Sequence, residues 1–445
     1  MPELVRKKRK MSSFEMIVFG FAGVILLGAI ILMLPISSSA GVVTPFDKTL
    51  FTATSAVCVT GLVVVDTGSY WSAFGQAVIL LLIQTGGLGV ITVVASFSMV
   101  SGRKISLMQR STMQDAISAP KVGGIVRLTK FILQGTFLIE LVGAILMLPV
   151  FCRDYGWKGI WMSVFHSVSA FCNAGFDILG TTEQTFPSLT GYIANPLINI
   201  VIMLLIVIGG IGFLTWDDFC TNKWNLKRYR LQSKIILATT AVLILLPALF
   251  FFMSDFAGFS MGKRILASLF QSVTLRTAGF NTADLGAMND SSKAIMTLMM
   301  LIGGSPGSTA GGMKTTTIAV LILNAFATFG REAETEVFGR RFDNTVVKNA
   351  ATIAILYFFL FFTGGIAISQ IEHVALSDCL FETASAVGTA GLTLGITTKI
   401  GLVSHLILVA LMYLGRVGGL TLIYAAISVK IQSGAKRPLD KITVG

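Results

Sequence analysis

The sequence predicts an all-α integral membrane protein built from four parallel repeats. Three observations support this fold class: an apolar composition, eight long apolar stretches, and four shorter apolar stretches that end in similar motifs. The chain of 445 residues is 54% hydrophobic and only 13% charged, with a mean hydropathy of +0.80. Soluble domains carry about 25% charged residues. The composition therefore argues against a water-soluble protein of this size.

Each long apolar stretch can cross about 30 Å of hydrocarbon as one helix. The predicted spans lie at residues 14–33, 76–99, 131–152, 197–216, 235–253, 294–325 with an interruption, 350–371 and 402–429. The four shorter stretches, at 49–57, 160–171, 265–273 and 378–387, are too short to span. Irregular backbone at membrane depth must be sheltered by protein or by a water-filled cavity. The short stretches therefore predict re-entrant segments around a lined cavity.

Positive charge is concentrated on one side of the predicted spans. Of the 34 Lys and Arg residues, 24 fall in the two termini and in the connections near 101–130, 221–234 and 330–348, and seven fall in the opposite connections. The positive-inside rule therefore predicts that both termini are cytoplasmic. Contact between basic loops and anionic membrane lipid explains the net charge of +12 without a nucleic acid partner. The five cysteines show neither a disulfide framework nor a metal-ligand spacing.

The four short stretches end in similar sequences, which indicates an internal repeat. They read FTATSAVCVTG (51–61), FHSVSAFCNAG (165–175), LFQSVTLRTAG (269–279) and FETASAVGTAG (381–391). Each repeat is predicted as a span, a re-entrant helix, a glycine-containing strand and a second span. The repeats are assigned to residues 1–100, 101–220, 221–330 and 331–445, and the fourth includes a cytoplasmic tail.

Four such repeats around one axis would place four backbone strands side by side. Carbonyl oxygens in such strands can replace the hydration shell of a monovalent cation. Glycine permits a positive φ angle or close packing, and the short helices would direct their partially negative C-terminal ends toward the cavity. The predicted filter residues are Val59, Thr60, Gly61, Asn173, Ala174, Gly175, Thr277, Ala278, Gly279, Thr389, Ala390 and Gly391.

Six motifs together resemble the membrane subunits of the Ktr/Trk/HKT superfamily of K⁺ transporters, in particular the bacterial Ktr-type ion-translocating subunit. They are SAVCVTGL (55–62), FCNAGF (171–176), LRTAGFN (275–281), VGTAGLT (387–393), GGSPGSTAGGMKTT (303–316) and GRVGGLT (415–421). The resemblance covers essentially the whole chain. In this family the first filter position can be Ser, which accompanies Na⁺ passage, so Gly61 favours K⁺ selectivity.

The resemblance also implies properties that composition and spacing do not. It implies K⁺ uptake across a bacterial plasma membrane, with K⁺ bound by backbone carbonyls of the filter and with Na⁺ as a stimulating ion. It further implies a homodimer with one pore per subunit and a cytoplasmic, nucleotide-binding regulatory ring of the RCK type. No organic cofactor is expected in this chain. The basic connections at 103–130 and 223–234 are the expected contact sites of the ring, with lipid contact as the alternative.

A run of small and polar residues interrupts the sixth predicted span. Glycine costs ~1 kcal/mol and proline ~3 kcal/mol in a helix relative to alanine, so this run predicts a loop at membrane depth. The loop is the predicted gate below the filter, and a simple helix kink is the alternative. A nucleotide-binding loop is disfavoured, because Met313 occupies the position that requires Lys. The loop residues are Gly304, Ser305, Pro306, Gly307, Ser308, Thr309, Ala310, Gly311 and Gly312.

Three basic residues lie at predicted membrane depth, where charge is costly and usually functional. Arg416 is expected to face the loop as part of the gate, or to cap helix carbonyls. Lys314 ends the loop and either belongs to the gate or faces the cytoplasmic vestibule. Arg276 is expected to point away from the filter, braced against carbonyls or against an acid such as Glu382.

Other polar residues near the predicted filter receive supporting roles. Residues within the re-entrant helices are expected to pack or brace rather than to bind ions: His166, Gln271 and Glu382. Acidic residues of the outer connections could concentrate cations at the mouth, or could be ordinary solvated loop residues: Asp66, Asp177, Asp255 and Asp284.

Three rival classes fit the sequence less well. A membrane enzyme would need a reactive cluster, but the three histidines are widely spaced and no acid pair is found. A secondary transporter should contain inverted repeats and paired broken helices, whereas these repeats are parallel and one broken helix is predicted. A membrane scaffold without transport activity would not need four glycine-containing strands.

Overall fold

The computed structural model describes residues 12–100, 105–117, 123–332, 334–419 and 421, and this part of the chain is mostly helical. The basic start at 6–10 and most of the predicted C-terminal tail lie outside these residues. The α-helices of the described residues are α1 (Ser13–Met33), α2 (Phe46–Val57), α3 (Thr67–Tyr70), α4 (Ala73–Leu88), α5 (Val90–Val100), α6 (Leu107–Ile117), α7 (Ile125–Tyr155), α8 (Lys158–Phe171), α9 (Pro196–Gly210), α10 (Phe213–Asn222), α11 (Leu231–Met253), α12 (Met261–Thr274), α13 (Asp290–Leu301), α14 (Thr315–Phe329), α15 (Asn344–Glu372), α16 (Leu376–Gly388) and α17 (Leu402–Val417). Short 3₁₀ turns occupy Pro35–Ser37, Thr190–Tyr192 and Leu226–Arg228. A small antiparallel hairpin, β1 (Glu336–Val337) and β2 (Arg340–Arg341), is the departure from the predicted all-α fold.

Local sequence explains where several apolar helices begin. Ser12 and Glu15 form a capping box at the start of α1, which satisfies two amide groups that lack helical partners. Ser72, Asn195 and Asn289 each accept a hydrogen bond from the first turn of α4, α9 and α13. Such caps stabilise a helix start by about 1 kcal/mol. The caps therefore fix the first residue of each helix, and the apolar residues that follow extend it.

Four described helices, α1, α7, α11 and α15, are long and apolar enough to cross a membrane. The number rises to six if α4–α5 and α9–α10 each count as one span, although these pairs bend by 99° and 98°. The prediction that residues 76–99 and 197–216 each form one continuous helix is wrong, and so is the prediction of a single broken helix. The reason is a positive φ angle at each break, 85° at Gly89 and 91° at Gly212, which a right-handed helix cannot contain.

The sixth and eighth predicted spans are also divided. The sixth consists of α13 and α14 with the predicted loop between them. The α17 helix ends at Val417, and Gly418 after it has a φ angle of 90°. Most of the predicted span beyond this point lies outside the described residues. A glycine with positive φ therefore ends or bends a helix at Gly89, Gly212 and Gly418 alike.

The short helices α2, α8, α12 and α16 occupy the four stretches that the sequence predicted to be re-entrant. Each packs against the long helix before it, namely α1, α7, α11 and α15. Contacts between successive units form a cycle, in which α4 contacts α8, α9 contacts α12, α13 contacts α16 and α17 contacts α2. These contacts arrange the four short helices around one centre.

Candidate functional site

The backbone alternates in handedness along the four strands that follow the short helices. Two residues before each glycine the φ angle is positive, at 49°, 55°, 62° and 53° for Val59, Asn173, Thr277 and Thr389. The glycines have φ angles of 92°, 68°, 81° and 83° at Gly61, Gly175, Gly279 and Gly391. The intervening residues have no positive φ angle: Thr60, Ala174, Ala278 and Ala390. Such alternation lets successive carbonyl oxygens face one side, as ion-selective filters require.

The four glycines lie next to one another in a closed ring. A Cβ atom on any of them would meet the carbonyl oxygen of the residue that precedes the next glycine. The separation would be 2.6 Å for Gly61, 2.7 Å for Gly175 and 3.0 Å for Gly279, and the Cβ of Gly391 would overlap the Thr60 carbonyl oxygen. The ring therefore follows chain order, closes from the fourth strand to the first, and has no room for side chains at these positions.

Hydrogen bonds between each strand and its short helix reveal a difference in register. In three strands the residue before the glycine donates its N–H to a carbonyl five residues back, as Thr60 does to Ser55 at 2.8 Å. In the third strand Ala278 donates to Thr274, only four residues back, at 3.0 Å. The alignment of Leu269 with the phenylalanines of the other repeats is therefore wrong by one position. In the third repeat, the segment between this bonded carbonyl group and the glycine is one residue shorter. Phe270 and Gln271 therefore occupy the positions that the alignment gave to Leu269 and Phe270.

A cavity lies on each side of this ring. The upper cavity, on the side of the α1–α2 connection, has a volume of about 260 Å³ and is lined by all four ring glycines. The lower cavity, on the side where α1 begins, has a volume of about 250 Å³. Its walls include Gly307, Gly312, Lys314, Tyr357 and Arg416. The loop between α13 and α14, residues 303–314, therefore lies between the ring and the lower cavity.

The two ends of this loop are held together. The Gly303 N–H donates to the Met313 carbonyl oxygen at 2.7 Å, and the Thr315 N–H donates to the Gly304 carbonyl oxygen at 3.0 Å. The loop is also fixed to its surroundings, since the Ser305 N–H donates to the Gly210 carbonyl at 2.9 Å. The structure thus brings all the predicted loop residues together beneath the ring, with both loop ends side by side.

Both predicted basic residues of the gate contact the loop. Arg416 donates through Nη1 to the carbonyl oxygen of Thr309. Its Nη2 donates to the carbonyl oxygens of Gly86 and Gly87 at the end of α4. Lys314 donates to the Ala310 carbonyl oxygen at 2.8 Å. Arg416 therefore faces the loop and caps helix carbonyls at once, and its part in a gate stays a prediction.

Arg276 does not pair with Glu382, contrary to the suggestion from the sequence. The Arg276 side chain is buried, and its Nε and Nη1 atoms make no hydrogen bond within the described residues. Glu382 instead binds the segment that follows the fourth strand, where it accepts hydrogen bonds from Thr393, from the Leu394 N–H at 3.2 Å and from Thr397 at 2.7 Å. Glu382 has a bracing role, as predicted. The part that it braces is the segment at the mouth of the ring and not Arg276.

Replacing Glu382 with alanine is expected to lower the stability of the protein by about 3 kcal/mol, because a buried carboxylate loses three hydrogen bonds of about 0.5–1.5 kcal/mol each. Glu382→Gln should cost less, since its amide oxygen still accepts from the loop and its shape is kept. Thermal unfolding of the purified variants in detergent measures both effects. Equal melting temperatures for the parent and the alanine variant would refute the bracing role.

The acidic residues of the upper connections are mostly engaged in local hydrogen bonds. Asp66 accepts from the N–H of Ser69 at 2.8 Å and of Phe186 at 2.9 Å, and it thereby joins two connections. Asp284 accepts from the Gly286 N–H at 2.9 Å. Asp177 lines the upper cavity with its side chain partly exposed. Of these residues, Asp177 best fits the predicted role of attracting cations.

The contacts to one carbonyl oxygen of the site were not found in the sequence. Tyr357 on α15 donates a hydrogen bond to the Gly415 carbonyl oxygen at 3.2 Å, and the Gly312 N–H of the loop donates to the same oxygen at 3.3 Å. The Gly-Gly pairs at 86–87 and 209–210 do indicate close helix packing in the sequence. A Cβ on Gly86, Gly209 or Gly415 would overlap a carbonyl oxygen at the end of α2, α8 or α16. The recurring G-x-x-G spacing was a usable signal for these contacts.

These features define a class of protein: an α-helical membrane protein whose repeated units surround one narrow, backbone-lined ring. The family model described as "TrkH: Cation transport protein" matches residues 11–435, and the chain belongs to this family. Its relatives are ion transporters and not enzymes, which confirms the prediction of a transporter.

Individual relatives cover nearly the whole chain. The potassium/sodium uptake protein NtpJ of Enterococcus hirae is 35% identical over 99% of both chains. The Ktr system potassium uptake protein B of Bacillus subtilis is 35% identical over 97% of this chain and 96% of that protein. The crystal structure of the potassium transporter TrkH from Vibrio parahaemolyticus superposes with a TM-score of 0.73 at 18% identity, covering 94% of this chain and 85% of that one. This last similarity supports the fold alone.

Proposed function

We propose that this chain mediates K⁺ uptake across the bacterial plasma membrane, with the ring of four strands as its selectivity filter. The observation that carries the proposal is the closed cycle of glycines with alternating backbone handedness in every strand. Backbone carbonyls in such a ring can replace the hydration shell of K⁺. The names of the potassium uptake relatives agree with this ion.

In the proposal, the loop at 303–314 is the gate of this pathway. It lies between the ring and the lower cavity, and its hydrogen bonds to Arg416 and to the Gly210 carbonyl oxygen hold it there. A guanidinium beside the pathway also repels a cation that leaves the ring. Flux then requires the loop to move, for which its glycines offer backbone freedom.

The proposed topology has eight spans in four repeats, with both termini in the cytoplasm. The four long helices and two bent pairs account for six spans. The divided α13–α14 segment and the α17 helix would supply the others. The lower cavity then opens toward the cytoplasm and the upper cavity toward the outside. The assignment of the repeats to 1–100, 101–220, 221–330 and 331–445 follows the same scheme.

We further propose that the chain works as a homodimer with a cytoplasmic, nucleotide-binding ring as its regulator. The name "Ktr system" of a relative implies more than one component. The basic connections near 103–130 and 223–234 are the proposed contact sites of such a partner. A partner that binds more tightly when the loop is open than when it is closed shifts the equilibrium toward the open loop. The size of the shift equals the difference between its two binding free energies.

Uptake of ⁸⁶Rb⁺ into vesicles containing the purified chain tests the proposed function. We expect uptake that unlabelled K⁺ inhibits at lower concentration than Na⁺ does, and that increases when Na⁺ is present as a stimulating ion. Transport of Na⁺ itself is the second candidate function, because one relative is named for both ions. Uptake of ²²Na⁺ that equals that of ⁸⁶Rb⁺ would favour this alternative, and uptake of neither ion would contradict both.

Uptake from dilute K⁺ is expected to fall by about twofold to threefold as the pH falls from 8 to 6, since one charge at the mouth of a pathway steers cations modestly. Enclosure away from bulk water, with a smaller contribution from the charge of Asp66 and against the hydrogen bond from the Leu179 N–H, raises the pKa of Asp177 to about 7. The carboxylate is therefore ionised at pH 8 and largely protonated at pH 6. Asp177→Asn should make uptake lower and independent of pH over this range, and an unchanged pH profile in that variant would contradict the assignment.

A further inference from the structure

One residue of the loop contacts four different parts of the site. The Thr309 hydroxyl donates to the carbonyl oxygen of Phe171, the last residue of α8, at 3.0 Å. Its N–H donates to the Gly209 carbonyl oxygen on α9 at 3.2 Å, and its own carbonyl oxygen accepts from Arg416. The hydroxyl also lies 3.4 Å from Oδ1 of Asn173 in the second strand. Thr309 is fully buried, so its polar atoms depend on these partners.

Asn173 extends this contact to the third strand. Its Nδ2 donates to the carbonyl oxygen of Arg276 at 3.1 Å. The side-chain amide thus lies between the loop on one side and the third strand on the other, and it is fully buried. The equivalent residues of the other strands are Val59, Thr277 and Thr389, which have no amide group. The hydroxyls of Thr277 and Thr389 make no hydrogen bond within the described residues, so the hydrogen-bonded bridge is found at the second strand.

We propose that Thr309 and Asn173 couple the position of the loop to the geometry of the second and third strands, so that ion selectivity depends on whether the loop is closed. The inference rests on the proposed function, in which the ring selects ions and the loop is the gate. When the loop moves, Asn173 loses its contact with Thr309 and holds the third strand less firmly. Coupling between two sites is reciprocal. An ion that binds best to the ring with the strands held by the closed loop therefore also stabilises the closed loop.

Thr309→Val tests the coupling with little change in side-chain shape. Uptake of ⁸⁶Rb⁺ and ²²Na⁺ is measured separately in vesicles without a partner protein. We expect the Rb⁺/Na⁺ ratio to fall by about threefold to tenfold, the effect of one lost buried hydrogen bond. Thr309→Ser, which restores the hydroxyl, should recover the parent ratio. Thr136→Val, which removes a buried hydroxyl from α7 outside the ring and the loop, should leave the ratio unchanged.

A second comparison separates coupling from local damage to the filter. Asn173→Leu is made in the parent and in a variant from which Ser305–Ala310 are removed. We expect the substitution to lower the Rb⁺/Na⁺ ratio in both proteins, because the bond to Arg276 is lost in both, but to lower it less in the shortened protein, where Thr309 is absent. An unchanged ratio in Thr309→Val, or equal effects of Asn173→Leu in both backgrounds, would overturn the coupling. A parent that takes up neither ion would instead refute the proposed function.

Discussion

Replacing Gly391 with alanine is expected to reduce ⁸⁶Rb⁺ uptake by about 100-fold, the size of effect that follows the loss of one preorganised dipole from a reactive site. The added Cβ would overlap the carbonyl oxygen of Thr60 and press on Gly61 in the neighbouring strand of the ring. The φ angle of 83° at Gly391 adds strain to any residue with a side chain. The fourth strand must therefore move outward, and its carbonyl oxygens move with it. Uptake into vesicles, normalised to the amount of inserted protein, measures the loss.

Gly395→Ala is the matched control, because it separates strain from ring geometry. Gly395 has a φ angle of 87°, close to that of Gly391, but a Cβ there would meet no atom within 4 Å. We expect this variant to lose some stability and to keep its preference for Rb⁺ over Na⁺. Equal loss of uptake in both variants would point to backbone strain as the cause. Full, selective uptake by the Gly391 variant would refute the assignment of the ring as the filter.

The ring was predictable because its signal is local and repeated. A glycine at the end of an apolar stretch is uninformative alone, but four copies at similar spacing indicate one structural element used four times. The same reasoning located α2, α8, α12 and α16 to within a few residues. The loop was also predictable, since the glycines and the proline between Gly303 and Lys314 do not favour a continuous helix.

Features that depend on contacts between distant segments were not predictable. The bends at Gly89 and Gly212 require positive φ angles, and an apolar sequence gives no indication of which glycine will adopt one. The shorter connection of the third strand was missed because Arg276-Thr-Ala-Gly279 aligns well with the other motifs at its end, which hides the missing residue further back. The partner of Glu382 was misjudged because opposite charge suggested an ion pair, whereas the fold supplies hydroxyl and amide donors.

Arg416→Ala, and separately the removal of Ser305–Ala310, are expected to increase ⁸⁶Rb⁺ flux in the absence of any partner by about 10-fold to 100-fold. Arg416 donates hydrogen bonds to Thr309, Gly86 and Gly87. A hydrogen bond from a charged donor contributes about 1.5–3 kcal/mol, and each 1.4 kcal/mol changes the ratio of open to closed loops about tenfold. The deletion is sterically reasonable because a Cβ on Gly304 would already overlap the Ala310 side chain, so the two ends of the removed segment are close.

Arg416→Lys distinguishes the two ways in which this residue could restrain flux. Lysine keeps the positive charge but cannot reach Thr309 and the end of α4 with a two-pronged guanidinium. If hydrogen bonding to the loop is the main restraint, the lysine variant should conduct nearly as fast as the alanine variant. If repulsion of the cation dominates, it should conduct as slowly as the parent. The deletion variant removes the loop but keeps Arg416, so it should conduct fast in the first case and remain slow in the second. A folded deletion variant and a folded Arg416→Ala variant that both conduct no faster than the parent would show that the loop is not the gate.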